Sequence, residues 1–295
     1  MRKKFIKNYF LVALVAVSLT AVQAQADLIG DVSLTDGNST AKFLSFKARG
    51  GDVNGFWRSW KVNGSQNLWL SKSCFRDNAT IGNGFQRSSA LLTDVIDYSV
   101  SDTDSDGNND TFYISRSNGK LTLSDNYHLM GGAAGTWEPS EMVHSTTYTN
   151  NTNEDLSLSV FQMIDFDLGA YYDDYNRVEN GITAMQWDNG RNELEIFLST
   201  PADYWSAEGW GCPGRYFKWL HPGEINLQND SGDGTIGDHR FLFQWDLDLT
   251  ADGGSFTILR KYGASPTPEP STMFLFGIGL LGLVAVIKRK KQFKF

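Results

Sequence analysis

The stretch Asp-Thr-Asp-Ser-Asp-Gly-Asn-Asn-Asp, residues 102–110, places a carboxylate at every second position and then a glycine. Asp102, Asp104 and Asp106, with Gly107 at the bend, match the first half of a calcium-binding loop, and Asp110 falls at its ninth position. Hard oxygen ligands converging on one point are what calcium takes. The pattern then breaks: its twelfth position is Tyr113, where a bidentate glutamate is needed, and both flanks read as strands. A solvated hairpin loop is the leading reading. The alternative is a calcium site completed by a neighbouring loop.

A second group lies in the Gly/Pro-rich segment 201–223, where Tyr204, Trp205, Trp210 and Trp219 crowd together without a clear period. Flat aromatic faces pack against the apolar faces of sugars, and a loop on a rigid scaffold can present them. These four are the glycan-binding candidates. Core or loop packing is the more ordinary reading, as it is for Trp57, Trp60 and Trp69 earlier in the chain.

The third group is acidic. A glycosidase needs two carboxyls across a sugar-binding cleft. The weak catalytic candidates are Glu138 and Glu141 in Trp-Glu-Pro-Ser-Glu-Met, and Asp165 and Asp167 in Ile-Asp-Phe-Asp-Leu. Strand alternation would put Asp165 and Asp167 on one face. Acidic residues are abundant here, so strand-end and turn roles are the plainer account. No nucleophile elbow, phosphate loop or dinucleotide fingerprint is present.

Strands must position all of these groups. Residues 155–168, 192–200 and 239–249 alternate apolar and polar side chains, as do Lys-Leu-Thr-Leu-Ser-Asp-Asn-Tyr-His-Leu and Met-Val-His-Ser-Thr-Thr-Tyr-Thr. Clusters of Gly, Asn and Asp separate them, and these are turn residues. The pattern predicts an all-β body, a large antiparallel β-sandwich, with no amphipathic helix between residues 27 and 264.

Charge and cysteine content narrow the function. Setting aside the four cations before residue 8, the five after Ile287, and Glu269 leaves 17 Lys and Arg against 33 Asp and Glu. Such a surface repels phosphate backbones, so a nucleic-acid partner is not expected. Cys74 and Cys212 are the two cysteines, and a disulfide between them is a possibility in an oxidising compartment.

Both ends of the chain carry sorting signals. Arg2, Lys3, Lys4 and Lys7 precede an apolar run over 10–22, and Ala24-Gln25-Ala26 supplies a small-x-small cleavage site, which predicts a signal peptide over 1–26. At the other end Pro268-Glu269-Pro270 precedes an apolar, Gly-spaced run from Met273 to Ile287 and the basic cluster Lys288 to Lys291. Fifteen residues would span about 22 Å as a helix, short of the roughly 30 Å of a hydrocarbon core.

This tail closely resembles the PEP-CTERM sorting domain of Gram-negative bacteria. The resemblance implies transient inner-membrane anchoring, cutting by an exosortase at the Pro-Glu-Pro motif, and delivery to the cell surface or extracellular matrix. The strand order of the body loosely resembles the large sandwiches of the galactose-mutarotase-like group.

The expected organisation is a signal peptide (1–26), a sandwich body (27–264) and a sorting segment (265–295). Signal peptidase and the exosortase are the expected processing partners, exopolysaccharide is a further partner, and calcium is the one candidate cofactor. Two functions remain: a non-enzymatic surface or matrix protein associated with exopolysaccharide or biofilm, and a glycan-active hydrolase, lyase or epimerase on the same sandwich.

Overall fold

The computed structural model describes residues 30–44, 56–78, 94–168, 174–188, 192–209, 226–227, 229, 237 and 239–266. Among them there is no α-helix, and no helix long and apolar enough to cross a membrane. The signal-peptide residues Ala24 and Ala26 lie outside these residues, as do Trp210, Cys212 and Trp219, and so do Pro268, Glu269 and Pro270.

Among the described residues fifteen strands form two antiparallel sheets. In chain order they are β1 (Val32–Asp36), β2 (Ser39–Leu44), β3 (Phe56–Val62), β4 (Ser65–Asp77), β5 (Asp94–Ser101), β6 (Thr111–Ser117), β7 (Leu121–Met130) and β8 (Ser140–Asn150). They continue with β9 (Leu156–Phe166), β10 (Asp174–Glu179), β11 (Thr183–Asp188), β12 (Asn192–Leu198), β13 (Tyr204–Gly209), β14 (His239–Leu249) and β15 (Ser255–Pro266). The 7-stranded sheet runs β1-β2-β3-β4-β9-β14-β13, and the 8-stranded sheet runs β10-β11-β12-β15-β8-β7-β6-β5. The large antiparallel sandwich expected from the period-two pattern is what the chain forms.

Side-chain parity explains the layering. In β8, Met142, His144, Thr146 and Tyr148 are buried, while Glu141, Val143, Ser145 and Thr147 between them are partly exposed. The two inner faces meet over a broad aromatic core in which Trp57, Trp60, Phe43, Phe112 and Tyr262 are almost fully buried. Trp57 meets Tyr262 of the facing sheet edge-on, with ring centroids 5.0 Å apart. Turn chemistry closes the hairpins. Asn63 and Gly64 both take positive φ between β3 and β4, the type I′ geometry that an Asn-Gly pair favours.

The sequence boundary of the body at residue 264 falls short of the strand end. β15 continues to Pro266, with Ser265 opposite Glu193 and Pro266 opposite Asn192. Pro266 ends the strand, where the lost N–H donor costs least.

Candidate functional site

A polar group occupies the middle of the sandwich, on the inner face of the 8-stranded sheet. Four adjacent strands supply it: Arg116 from β6, Asp125 and Tyr127 from β7, His144, Thr146 and Tyr148 from β8, and Arg260 and Tyr262 from β15. Asp125 accepts hydrogen bonds from Arg116 Nη2 at 2.8 Å and Thr146 Oγ1 at 2.8 Å, and its Oδ1 lies 3.0 Å from His144 Nε2. Arg260 Nη1 donates to His144 Nδ1 at 3.0 Å and to Thr146 Oγ1 at 2.9 Å. A guanidinium can only donate, so Nδ1 is the acceptor and the imidazole is neutral with its proton on Nε2, facing Asp125.

The electrostatics follow from burial and these neighbours. Burial first, then the Arg260 charge, holds the His144 imidazole down to about 4, against the opposing pull of Asp125. Burial alone would lift the Asp125 carboxyl, but the His144 hydrogen bond and the Arg116 charge outweigh it and keep the group well below the usual carboxylate range. Burial pushes the phenols of Tyr127, Tyr148 and Tyr262 up. Tyr127 stacks on His144 with centroids 4.0 Å apart, and Arg260 lies 5.4 Å from the Trp245 ring of the facing sheet. Gln162 Nε2 donates to the Tyr262 hydroxyl at 3.0 Å, a second tie between sheets. Arg260 is 0% exposed and His144 2%. Such groups fix four strands in register and hold the sheets together; they do not meet a substrate from solvent.

The sequence reading missed this group because each member looks unremarkable in its own strand. His144 at a core-facing position of Met-Val-His-Ser-Thr-Thr-Tyr-Thr was the one available signal. Recognising its partners required the register that sets Arg260 opposite His144 and Asp125 opposite Thr146.

The acidic loop is the turn of the β5–β6 hairpin, as its strand-like flanks predicted. Carboxylate oxygens of Asp102, Asp104 and Asp110 come within 4.8 Å of one another, and so do those of Asp36, Asp104 and Asp106. Asp36, at the end of β1, is the contribution of a neighbouring turn. The Thr35 amide donates to the Asn109 carbonyl at 2.8 Å and ties that turn to the loop. The Tyr113 that breaks the calcium pattern pairs with Ser99 in the hairpin.

The loop also satisfies itself. Asp102 accepts from the Ser105 and Gly107 amides at 2.7 and 2.9 Å, Asp104 from Asp106 at 3.1 Å, and Asp106 from Asn108 at 2.7 Å. Asp110 is buried and accepts from the Thr103 amide and hydroxyl. The Asp106 amide favours ionised Asp104, yet desolvation and the Asp106 and Asp36 carboxylates lift the Asp104 carboxyl above its ordinary value. Asp36, Asp102, Asp104, Asp106 and Asp110 are the residues that could hold a hard cation here, although both Asp110 oxygens already accept from Thr103 or Thr111.

The remaining sequence candidates disperse. Glu138 sits in the β7–β8 connection, where Oε2 accepts from the Ala133 amide at 2.7 Å. Glu141 points outward from the 8-stranded sheet and pairs with Lys261 at 2.9 Å. Asp165 belongs to the 7-stranded sheet and faces Arg240 at 3.3 Å. Asp167 lies just beyond β9, its amide bonded to Asn67. The four carboxylates therefore do not converge on one cleft. Tyr204 packs against Met163, Leu227 and Leu242. Trp205 packs on the main core, and Gly181 makes room for its ring, since a Cβ there would come within 2.6 Å of the indole. Both serve packing. Cys74 is half-buried on β4, so a pairing with Cys212 involves a residue outside the described set.

Comparison with known proteins bears on the tail and the body separately. The model of the PEP-CTERM protein-sorting motif matches residues 266–290. The chain carries a PEP-CTERM sorting motif. That motif implies export, a membrane-anchored sorting signal and processing by an exosortase. No curated protein matches the chain in sequence.

The body is similar to the Slr1438 protein of Synechocystis sp. PCC 6803, at TM-score 0.52 and 8% identity over 82% of this chain and 97% of that one. A bacterial glucoamylase complexed with acarbose aligns at TM-score 0.51 and 10% identity over 86% of this chain, which spans only 36% of the glucoamylase. A candidate aldose 1-epimerase from Escherichia coli K12 aligns at TM-score 0.50 and 9% identity over 81% of this chain and all of that one. At such identities the likeness is one of fold alone.

Proposed function

We propose that this chain is an exported surface or extracellular-matrix protein that works without catalysis, by associating with exopolysaccharide. The sorting motif carries the reading. It begins at Pro266, the last residue of β15, so the sandwich leads directly into the signal. β15 lies between β12 and β8 within the 8-stranded sheet, and cutting at Pro268-Glu269-Pro270 removes no residue of that strand.

The body supports the same reading. Its excess of carboxylates keeps an exported domain soluble in a crowded matrix. Calcium at the 102–110 loop, with Asp36 completing the ligands, belongs to this reading as a cation link suited to that setting. The enzyme alternative needs paired carboxyls in a cleft, and Glu141 and Asp165 stand on different sheets.

The test uses residues 27–270, which keep Ser265 and Pro266 in their sheet, and exopolysaccharide from the producing cell. Binding without loss of polymer length is expected. Depolymerisation would instead favour a glycan-active enzyme, and absence of binding would overturn the proposal.

A further inference from the structure

A second set of aromatics stands on the outer face of the 8-stranded sheet, away from the segment that the sequence singled out. In β10 and β11 the buried positions are Asp174, Asn176, Val178 and Ala184, Gln186, Asp188, so Tyr175, Arg177, Met185 and Trp187 face outward. Tyr175 and Trp187 are register partners on adjacent strands. Their ring centroids are 5.8 Å apart and their planes 10° from parallel. Full face contact would bring ring atoms to about 3.5–4.0 Å directly above one another, so these rings are slid past each other, leaving part of each face uncovered.

The neighbouring row of the sheet reads Arg177, Met185, Glu195, Gly263, Glu141 across β10, β11, β12, β15 and β8. Gly263 has no atom within 4 Å of the place a Cβ would occupy, and its backbone does not demand glycine. It leaves a dip in an otherwise covered surface. Glu195 is exposed on one side, and Glu141, with 34% of its side chain exposed, stands on the other. Two strand spacings put their backbones about 10 Å apart. In the next row Phe197, 44% exposed, lies opposite Lys261, which pairs with Glu141.

The chemistry of this face selects its occupant. Centres of protein–protein interfaces are depleted of charged residues, whereas here Arg177, Glu195, Glu141 and Lys261 sit among the aromatics. An anionic polymer would meet two glutamates across the dip, on a body with 33 carboxylates against 17 cations. A neutral sugar chain offers what remains: an apolar C–H face for the rings and hydroxyl donors for the carboxylates.

We infer that the outer face around Tyr175, Trp187 and Gly263 is a docking face for a neutral polysaccharide, with sugar rings on the Tyr175–Trp187 pair and hydroxyls donating to Glu195 and Glu141 across the dip. This rests on the reading of the protein as exopolysaccharide-associated, and names the face and the class of polymer.

The experiment uses exported protein purified from the surface fraction of cells expressing the full chain. Affinity electrophoresis is run through soluble neutral glucan, through alginate as the anionic polymer, and through the cell's own exopolysaccharide. Retardation by the neutral glucan is expected, weakened at least tenfold in Trp187→Ala and Tyr175→Ala. Gly263→Leu, which fills the dip where space is open, is expected to weaken it as well. Ile96→Ser, an exposed change on the far edge strand β5, serves as the control, and unchanged melting temperatures show that the variants are folded. Undiminished binding by Trp187→Ala and Tyr175→Ala to the cell's own exopolysaccharide would overturn the face while leaving the surface role intact. Binding to alginate alone would overturn the polymer class. A dimer lost on Trp187→Ala would assign the face to a second copy and overturn the inference. No binding of wild type to any polymer would overturn the exopolysaccharide association on which the inference rests.

Discussion

Arg260 Nη1 donates to His144 Nδ1 at 3.0 Å in the centre of the sandwich, so the imidazole cannot accept a proton there without breaking that bond and setting two cations side by side. The group is closed to water, and it couples the stability of the whole body to pH.

The direction follows from His144, whose imidazole is held near 4 in the fold against an ordinary value of 6.5. The unfolded chain therefore binds the extra proton first as pH falls. Stability is full above pH 6.5 and declines from there toward pH 4, by on the order of 3 kcal/mol. Asp125, held low by His144 and Arg116, adds a further loss below about pH 3.8. Urea midpoints at pH 7.0 and pH 4.5 measure the first part, and equal midpoints would contradict it.

Removing single members of the group separates their roles. Asp125→Ala leaves Arg116, His144 and Thr146 without their shared acceptor and is expected to cost about 3–5 kcal/mol. Arg260→Met should cost less, because Arg260 Nε and Nη2 make no hydrogen bond among the described residues. It should also flatten the pH dependence, since the charge that helps depress His144 is gone. Denaturation of both variants at the same two pH values reads both effects.

The two sheets are also clasped at one end. Asn38, in the β1–β2 turn, donates to the Thr136 and Glu138 carbonyls at 3.2 and 2.8 Å and accepts from the Gly132 amide at 2.9 Å. Asn38→Ala is expected to cost about 2–3 kcal/mol. Gly37→Ala should be worse than a routine turn change, because φ is +49° and a Cβ would stand 1.9 Å from the Gly132 carbonyl oxygen. Thermal melts of both variants check this.

The acidic loop predicts opposite effects with and without calcium. Asp104→Asn keeps an acceptor for the Asp106 amide and removes like-charge crowding from Asp36 and Asp106. Without calcium it should leave the melting temperature unchanged or slightly raised. With millimolar calcium, wild type should gain stability, and Asp104→Asn and Asp36→Asn should not. Calorimetry with calcium and then with chelator distinguishes the two states, and no gain for wild type would leave the loop a plain hairpin turn.

The fold was legible where one strand face is buried and the other wet. β7, β8 and β12 show that alternation openly, with Gly/Asn/Asp clusters near their ends, whereas β9 from Leu158 on and most of β14 are buried on both faces. Pairing was not legible, because period two says nothing about which strand lies alongside. That is why Asp36 could not be joined to Asp104 across 68 positions of chain, nor Arg260 to His144 across 116. Aromatic density was ambiguous for a related reason. Tyr204 and Trp205 are neighbours in β13, yet Trp205 packs on the main core and Tyr204 on a separate cluster with Met163, Leu227 and Leu242. Tyr175 and Trp187 meet only because β10 and β11 pair in a register that the sequence does not announce.

The most direct test of the central claim is the intact mass of the protein recovered from the surface of exosortase-competent cells. Sorting through the motif at 266–290 predicts a form that begins at Asp27 and lacks Met273 to Phe295. Recovery of the full-length chain as the sole species would contradict the account.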